Sequence, residues 1–129
     1  MRIHHVGYLV KKMEKAKKAF EALGYVVTQD VVFDEFRQID ICFMEKDGYL
    51  IELVCPVSKE SVVAGMLKKI GNSPYHICYE TDDFDKTVEE LENQHYIICS
   101  EKHAAPAIDG KNVCFMINPS LGMIELVEA

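Results

Sequence analysis

The chain has 129 residues, 49% hydrophobic and 27% charged, enough for one domain with its own core and unlike a disordered or fibrous sequence. Its formal net charge is −7, from 21 acidic and 14 basic residues, the reverse of the balance in proteins that neutralise nucleic-acid phosphates. No apolar run approaches the ~20 residues of a bilayer span, and MRIHHVGYLV lacks the basic-then-apolar layout of a signal peptide. The composition therefore predicts a cytoplasmic protein with neither nucleic-acid nor membrane partners.

In chain order, alternation predicts a strand over 3–10, then a helix over 12–23 with Met13, Ala16, Phe20 and Leu23 on its core side. Gly24 ends that helix where a left-handed residue is easiest. The lysines at 11, 12, 15, 17 and 18 read as the solvated side of this helix, with a contact to the phosphates of a nucleotide-tailed substrate as the alternative. Strands follow at 25–33, 38–45 and 49–55, the last two joined by a Lys46-Asp47-Gly48 turn. A connecting helix over 59–70 stops at Gly71. Then come a strand at 74–80, a helix at 84–94 capped by Asp82 or Asp83, and strands at 95–100, 112–117 and 121–128. Between them, His103 to Gly110 reads as an irregular loop, either a cover for a site or a plain connection. The five cysteines (42, 55, 78, 99 and 114) are odd in number and lack CxxC spacing, so they read as buried reduced thiols.

The chain also repeats itself. His5-Val6-Gly7-Tyr8 returns as His76-Ile77-Cys78-Tyr79 at an offset of 71 residues, and Gly24-Tyr25 meets His95-Tyr96 at the same offset. Ile41 to Met44 returns as Val113 to Met116 at 72, and Ile51 to Val54 as Ile124 to Val127 at 73. The expected architecture is α+β: two βαβββ modules, 1–57 and 73–129, joined by a helix within 58–72. Together they form a single domain with a curved mixed sheet and its helices outside.

Against this repeat, four residues are out of place for a plain core. Glu52 lies between Leu50 and Val54 on one strand face, and Glu125 between Met123 and Val127. An ionised carboxylate in such company costs several kcal/mol unless compensated. His5 and His76 occupy equivalent places on the first strand of each module. A lone histidine on an apolar face is more often a hydrogen-bonded core residue than a ligand. Two histidines and two glutamates recurring by one symmetry reverse that expectation. His5, Glu52, His76 and Glu125 are the candidate ligands of one divalent metal, of the Zn, Ni, Co, Mn or Fe kind. Such an ion has two further positions for neighbouring substrate oxygens. His4 points to the opposite face, and His95 and His103 are expected at the surface.

HHVGYLV, GYLIELVCP, PYHICYETDD and GMIELVE, in this order, resemble motifs of the vicinal-oxygen-chelate superfamily, which includes glyoxalase I and methylmalonyl-CoA epimerase. The resemblance covers essentially the whole chain and maps the metal ligands onto the same four residues. It implies a metal-dependent enzyme that moves a proton α to a carbonyl on a small carbonyl or thioester substrate, as a homodimer. Glu52 and Glu125 are then candidate bases. The epimerases' additional glutamate falls at Phe36, so Glu35, one residue away, is the third candidate. Two other readings remain: a metal-free drug- or ligand-binding module of the bleomycin-resistance type, and an extradiol dioxygenase or antibiotic-modifying thiol transferase.

Overall fold

A computed structural model describes residues 1–129. Its elements are β1 (Arg2–Leu9), α1 (Met13–Ala22), β2 (Val26–Asp34), β3 (Ile39–Lys46), β4 (Tyr49–Pro56), α2 (Ala64–Ile70), β5 (Ser73–Thr81), α3 (Phe84–Asn93), β6 (Ile97–Ala105), β7 (Lys111–Asn118) and β8 (Gly122–Glu128). They fall into two compact units: residues 5–75, and residues 76–129 with 1–4.

In the first unit the strands run in the order β2-β3-β4-β1, antiparallel except for the parallel β1–β4 pair, with Gly7 beside Glu52. Alternation divides the sheet into two faces. Cys42, Met44, Ile51, Leu53 and Cys55 form one, on which Met13, Ala16 and Phe20 of α1 pack. Phe20 meets Tyr8 and Tyr25 edge to face, each at 5.1 Å between ring centres. Ile41, Phe43, Glu52, Val54 and His5 lie on the other face, all buried.

The second unit repeats the plan as β5-β8-β7-β6, with β5 parallel to β8 and Cys78 beside Glu125. Cys114, Met116, Ile124 and Leu126 pack under Phe84 and Leu91 of α3. Arg2, from the start of β1, anchors to this unit through Glu80 and Asp82, both at 3.0 Å. Its guanidinium holds the Asp82 carboxyl below the usual carboxylate range.

Both long helices end alike. Tyr25 N–H donates to the Phe20 carbonyl, and Tyr96 N–H to that of Leu91, each at 3.1 Å. The residue before each tyrosine has positive φ, 100° at Gly24 and 72° at His95, so the repeat places a histidine in a glycine conformation.

Three expectations need correction. The connecting helix starts only at Ala64, because turns at Ser58 and Ser61 occupy the chain before it. No irregular loop spans 103–110: β6 runs to Ala105, a 3₁₀ turn takes Pro106–Ile108, and Asp109 and Gly110 close it with positive φ. Cys99 is exposed, whereas the other four thiols are buried. Burial pushes the Cys42 and Cys55 thiols up and, helped by the nearby Glu125, takes Cys114 up to about 12.

Candidate metal centre

Each module builds one imidazole–carboxylate pair. In the first, Glu52 stands opposite Phe43 across the β3–β4 ladder and beside Gly7 on β1. His5, two residues before Gly7, shares that face, and its Nε2 comes within 3.4 Å of Glu52 Oε1. In the second, Glu125 stands opposite Phe115 and beside Cys78, and His76 Nε2 lies 3.5 Å from Glu125 Oε1. The phenylalanine meets the imidazole edge to face in both, at 5.3 Å for His5–Phe43 and 5.2 Å for His76–Phe115. The histidine side chains are 0% exposed and the glutamate side chains 4%, so these donors are removed from bulk water.

The donor separation tests whether a metal fits. Hydrogen bonds to oxygen span roughly 2.7–3.2 Å, and both pairs are longer. Two donors each about 2.1 Å from one ion stand roughly 3.0 Å apart at a right angle and about 3.4 Å apart at a tetrahedral one. At 3.4 and 3.5 Å the pairs match two neighbouring ligands of one ion at the wider of these angles, and imidazole with carboxylate is the donor chemistry of borderline divalent ions. The residues fit.

The other titratable candidates are placed differently. Glu35 is exposed in the turn between β2 and β3, outside the buried His5–Glu52 pair. His4 is half-buried and alternates away from His5, and His95 is exposed. His103, expected at the surface, is half-buried instead. It pairs with Val113 on β7, which pairs with Val127 on β8, and so it lies on the Glu125 face of its own sheet. Its Nδ1 is 3.0 Å from the Ala104 carbonyl oxygen.

Sequence reasoning missed an ion pair bordering the first module's ligand face. Asp34 is fully buried opposite Ile39. It accepts a 2.8 Å bond from the Arg37 guanidinium and a 3.0 Å bond from the Arg37 backbone N–H. The signal was present as an aspartate three residues before an arginine in DEFR, the spacing of a side-chain-closed turn.

The comparisons with known proteins agree with this frame. Residues 4–115 match the family model described as glyoxalase/bleomycin resistance protein/dioxygenase superfamily. The mitochondrial methylmalonyl-CoA epimerases of Bos taurus and Homo sapiens are each 30% identical to the chain over 132 aligned residues, covering 99% of it and 74% of each relative. The solved methylmalonyl-CoA epimerase of Mycobacterium tuberculosis superposes with a TM-score of 0.83 at 23% identity, over 98% of this chain and 87% of that one. A Streptomyces coelicolor methylmalonyl-CoA epimerase in complex with 2-nitronate-propionyl-CoA gives 0.84 at 19%, over 100% and 94%. Those whole-length superpositions show that the α+β plan of two βαβββ modules is the glyoxalase-like fold. The chain belongs to the glyoxalase/bleomycin resistance protein/dioxygenase superfamily, the vicinal-oxygen-chelate superfamily that its four motifs resemble.

Proposed function

We propose that this protein is a metal-dependent enzyme that moves a proton α to the carbonyl of a coenzyme A thioester, as an epimerase of the methylmalonyl-CoA kind. The observation that carries the reading is the recurrence of a buried imidazole–carboxylate pair at ligand separation in both modules. The epimerase relatives, 30% identical over nearly the whole chain, supply the substrate class. In this reading His5, Glu52, His76 and Glu125 hold one divalent ion between them. Such an ion supplies Lewis acidity toward the substrate's carbonyl oxygens.

The chain's own residues supply the rest. Phe43 and Phe115 pack edge-on against the imidazoles, which with the glutamates are buried from bulk water. One carboxylate takes the α proton, and the C–H electron pair passes into the carbonyl system. A second, protonated carboxyl on the other side delivers its proton to the opposite face of the α carbon, after which solvent exchange resets the two groups. Glu52 and Glu125 are the buried carboxylates for this task, and Glu35 is the exposed one. Their roles separate by experiment: Glu35→Gln lowers turnover without changing metal content if Glu35 is the base, whereas Glu52→Gln and Glu125→Gln disturb both.

The test pairs metal analysis of the purified protein with NMR of α-proton exchange from methylmalonyl-CoA in deuterated water. About one divalent ion per chain is expected, together with exchange, and both are lost in His76→Ala. If Co(II) reconstitution gives neither metal uptake nor exchange, the reading is wrong, and a ligand-binding module takes its place.

A further inference from the structure

The lysines that open α1 are exposed, as a solvated helix side should be, and several of them also border a groove. Three adjoining hollows of about 570, 290 and 250 Å³ run along the start of α1, the end of β1 and one side of α2, and Asn72 borders all three. Lys11 and Lys68 line the largest, and Lys11, Lys12 and Lys15 the smallest. The middle hollow is apolar, walled by Phe20 and Leu23 among others. Asn72 is fixed, since its Oδ1 accepts from the Lys11 backbone N–H at 2.8 Å, which leaves its amide N–H groups as donors.

None of Lys11, Lys12, Lys15 and Lys68 makes a salt bridge, whereas Lys17, Lys46, Lys86 and Lys102 elsewhere in the chain each have a carboxylate partner. Lys18, Lys59, Lys69 and Lys111 are also unpaired but line none of these hollows. Four cations without carboxylate partners gather along this one groove in a chain of net charge −7, which suits the groove to an anion from outside.

The repeat isolates the feature from the scaffold. At the offset of 71, Lys11 and Lys12 correspond to Asp82 and Asp83. Asp82 pairs with Arg2, and Asp83 caps α3 by accepting from the Lys86 N–H. Lys12 holds the same N-cap position on α1 and offers no side-chain cap. Thus the first module has given up a helix cap and placed positive charge where the helix dipole already carries it.

We propose that this groove binds the phosphates of a nucleotide, with Lys11, Lys12, Lys15 and Lys68 as the charge partners, the Asn72 amide as a neutral donor, and the apolar hollow beside Phe20 and Leu23 receiving the base. The nucleotide is either the 3′-phospho-ADP end of the coenzyme A thioester or a free nucleotide. The first of these sources rests on the function proposed above.

The experiment is calorimetric titration of the intact protein with adenosine 3′,5′-diphosphate at low and high salt, wild type against Lys11→Ala/Lys68→Ala, with melting temperature as the folding control. Binding that weakens with salt, and weakens roughly tenfold or more in the variant at unchanged melting temperature, is expected. Absent binding, or binding that the variant leaves untouched, overturns the site. Steady-state assays then distinguish the sources. A KM for methylmalonyl-CoA raised about tenfold at unchanged kcat, with the methylmalonyl-pantetheine thioester unaffected, assigns the groove to the substrate's tail. An unmoved KM beside weakened nucleotide binding assigns it to a free nucleotide. Intact, variant-sensitive nucleotide binding in a protein without thioester turnover upholds the groove while the proposed reaction falls.

Discussion

The helix-facing cores of the two modules are near copies: Cys42 and Cys114, Met44 and Met116, Ile51 and Ile124, and Leu53 and Leu126 occupy equivalent register positions. So do the buried pairs His5–Glu52 and His76–Glu125 and their phenylalanine braces. The chain ends of the same strands diverge. After β2 the turn is held by the buried Asp34–Arg37 ion pair, and after β6 the matching turn is held by buried Ala105, Ala107 and Ile108. At the helix entrances, lysines in one module stand at the positions that aspartates hold in the other. Interior positions are tied to many neighbours at once, so close packing keeps them alike. Turns and helix ends answer to fewer constraints, and there each half has found its own chemistry.

The largest effect that would sharpen this contrast is at the β2–β3 turn. Arg37→Ala leaves Asp34 as an uncompensated buried charge and is expected to cost about 3–5 kcal/mol in urea unfolding. Asp34→Ala/Arg37→Leu, which copies the apolar solution of the other module, should recover most of that loss. If the double variant is as unstable as the single one, the two turns are not alternative solutions to one problem.

The donor pairs make the opposite prediction, of equality. His5→Ala and His76→Ala should each weaken Co(II) binding by roughly a hundredfold or more, and by similar amounts. A variant in one module that leaves affinity unchanged would break the proposed equivalence.

Smaller effects belong to the helix ends. Asp83→Ala should cost about 1 kcal/mol by removing the α3 cap, while Lys12→Asp should gain up to about 1 kcal/mol by supplying one to α1. The gain comes with weaker nucleotide binding if the groove does what its lysines indicate. Least of all, His95→Gly should stabilise by a few tenths of a kcal/mol to about 1, since it removes a side chain from a left-handed position that Gly24 fills without strain. Thermal unfolding of the pair His95→Gly and Gly24→Ala, with opposite signs, checks this.

The internal repeat made the fold legible in sequence, because two independent copies of one hydrophobic pattern fix register better than either alone. Glu52 and Glu125 stood out for the same reason, as charges interrupting matched apolar faces. What stayed hidden has local causes. Bulges break the alternation of β6 between Ile98 and Ser100 and again before His103, so no two-residue period reaches from the strand's start to His103. The small residues around Pro106 conceal a strand end and a 3₁₀ turn behind loop-like composition. Arg37 reads as a surface residue until Asp34 is found buried beside it. The start of α2 is hidden because the apolar Val62 and Val63 lie next to it, within a stretch that the structure folds into serine turns.

The bulge in β6 also has a practical side. Cys99 falls between the registered residues Ile98 and Ser100, outside the ladder, and is the chain's one exposed thiol. Partial desolvation raises its pKa, so it is a slow nucleophile at neutral pH, yet the four buried thiols are far less accessible to reagents. The native chain therefore carries its own attachment point for a fluorophore or spin label. That point lies on one module only, at a residue whose modification breaks no strand pairing, so a probe there reports on the second half of the repeat while the first stays unlabelled.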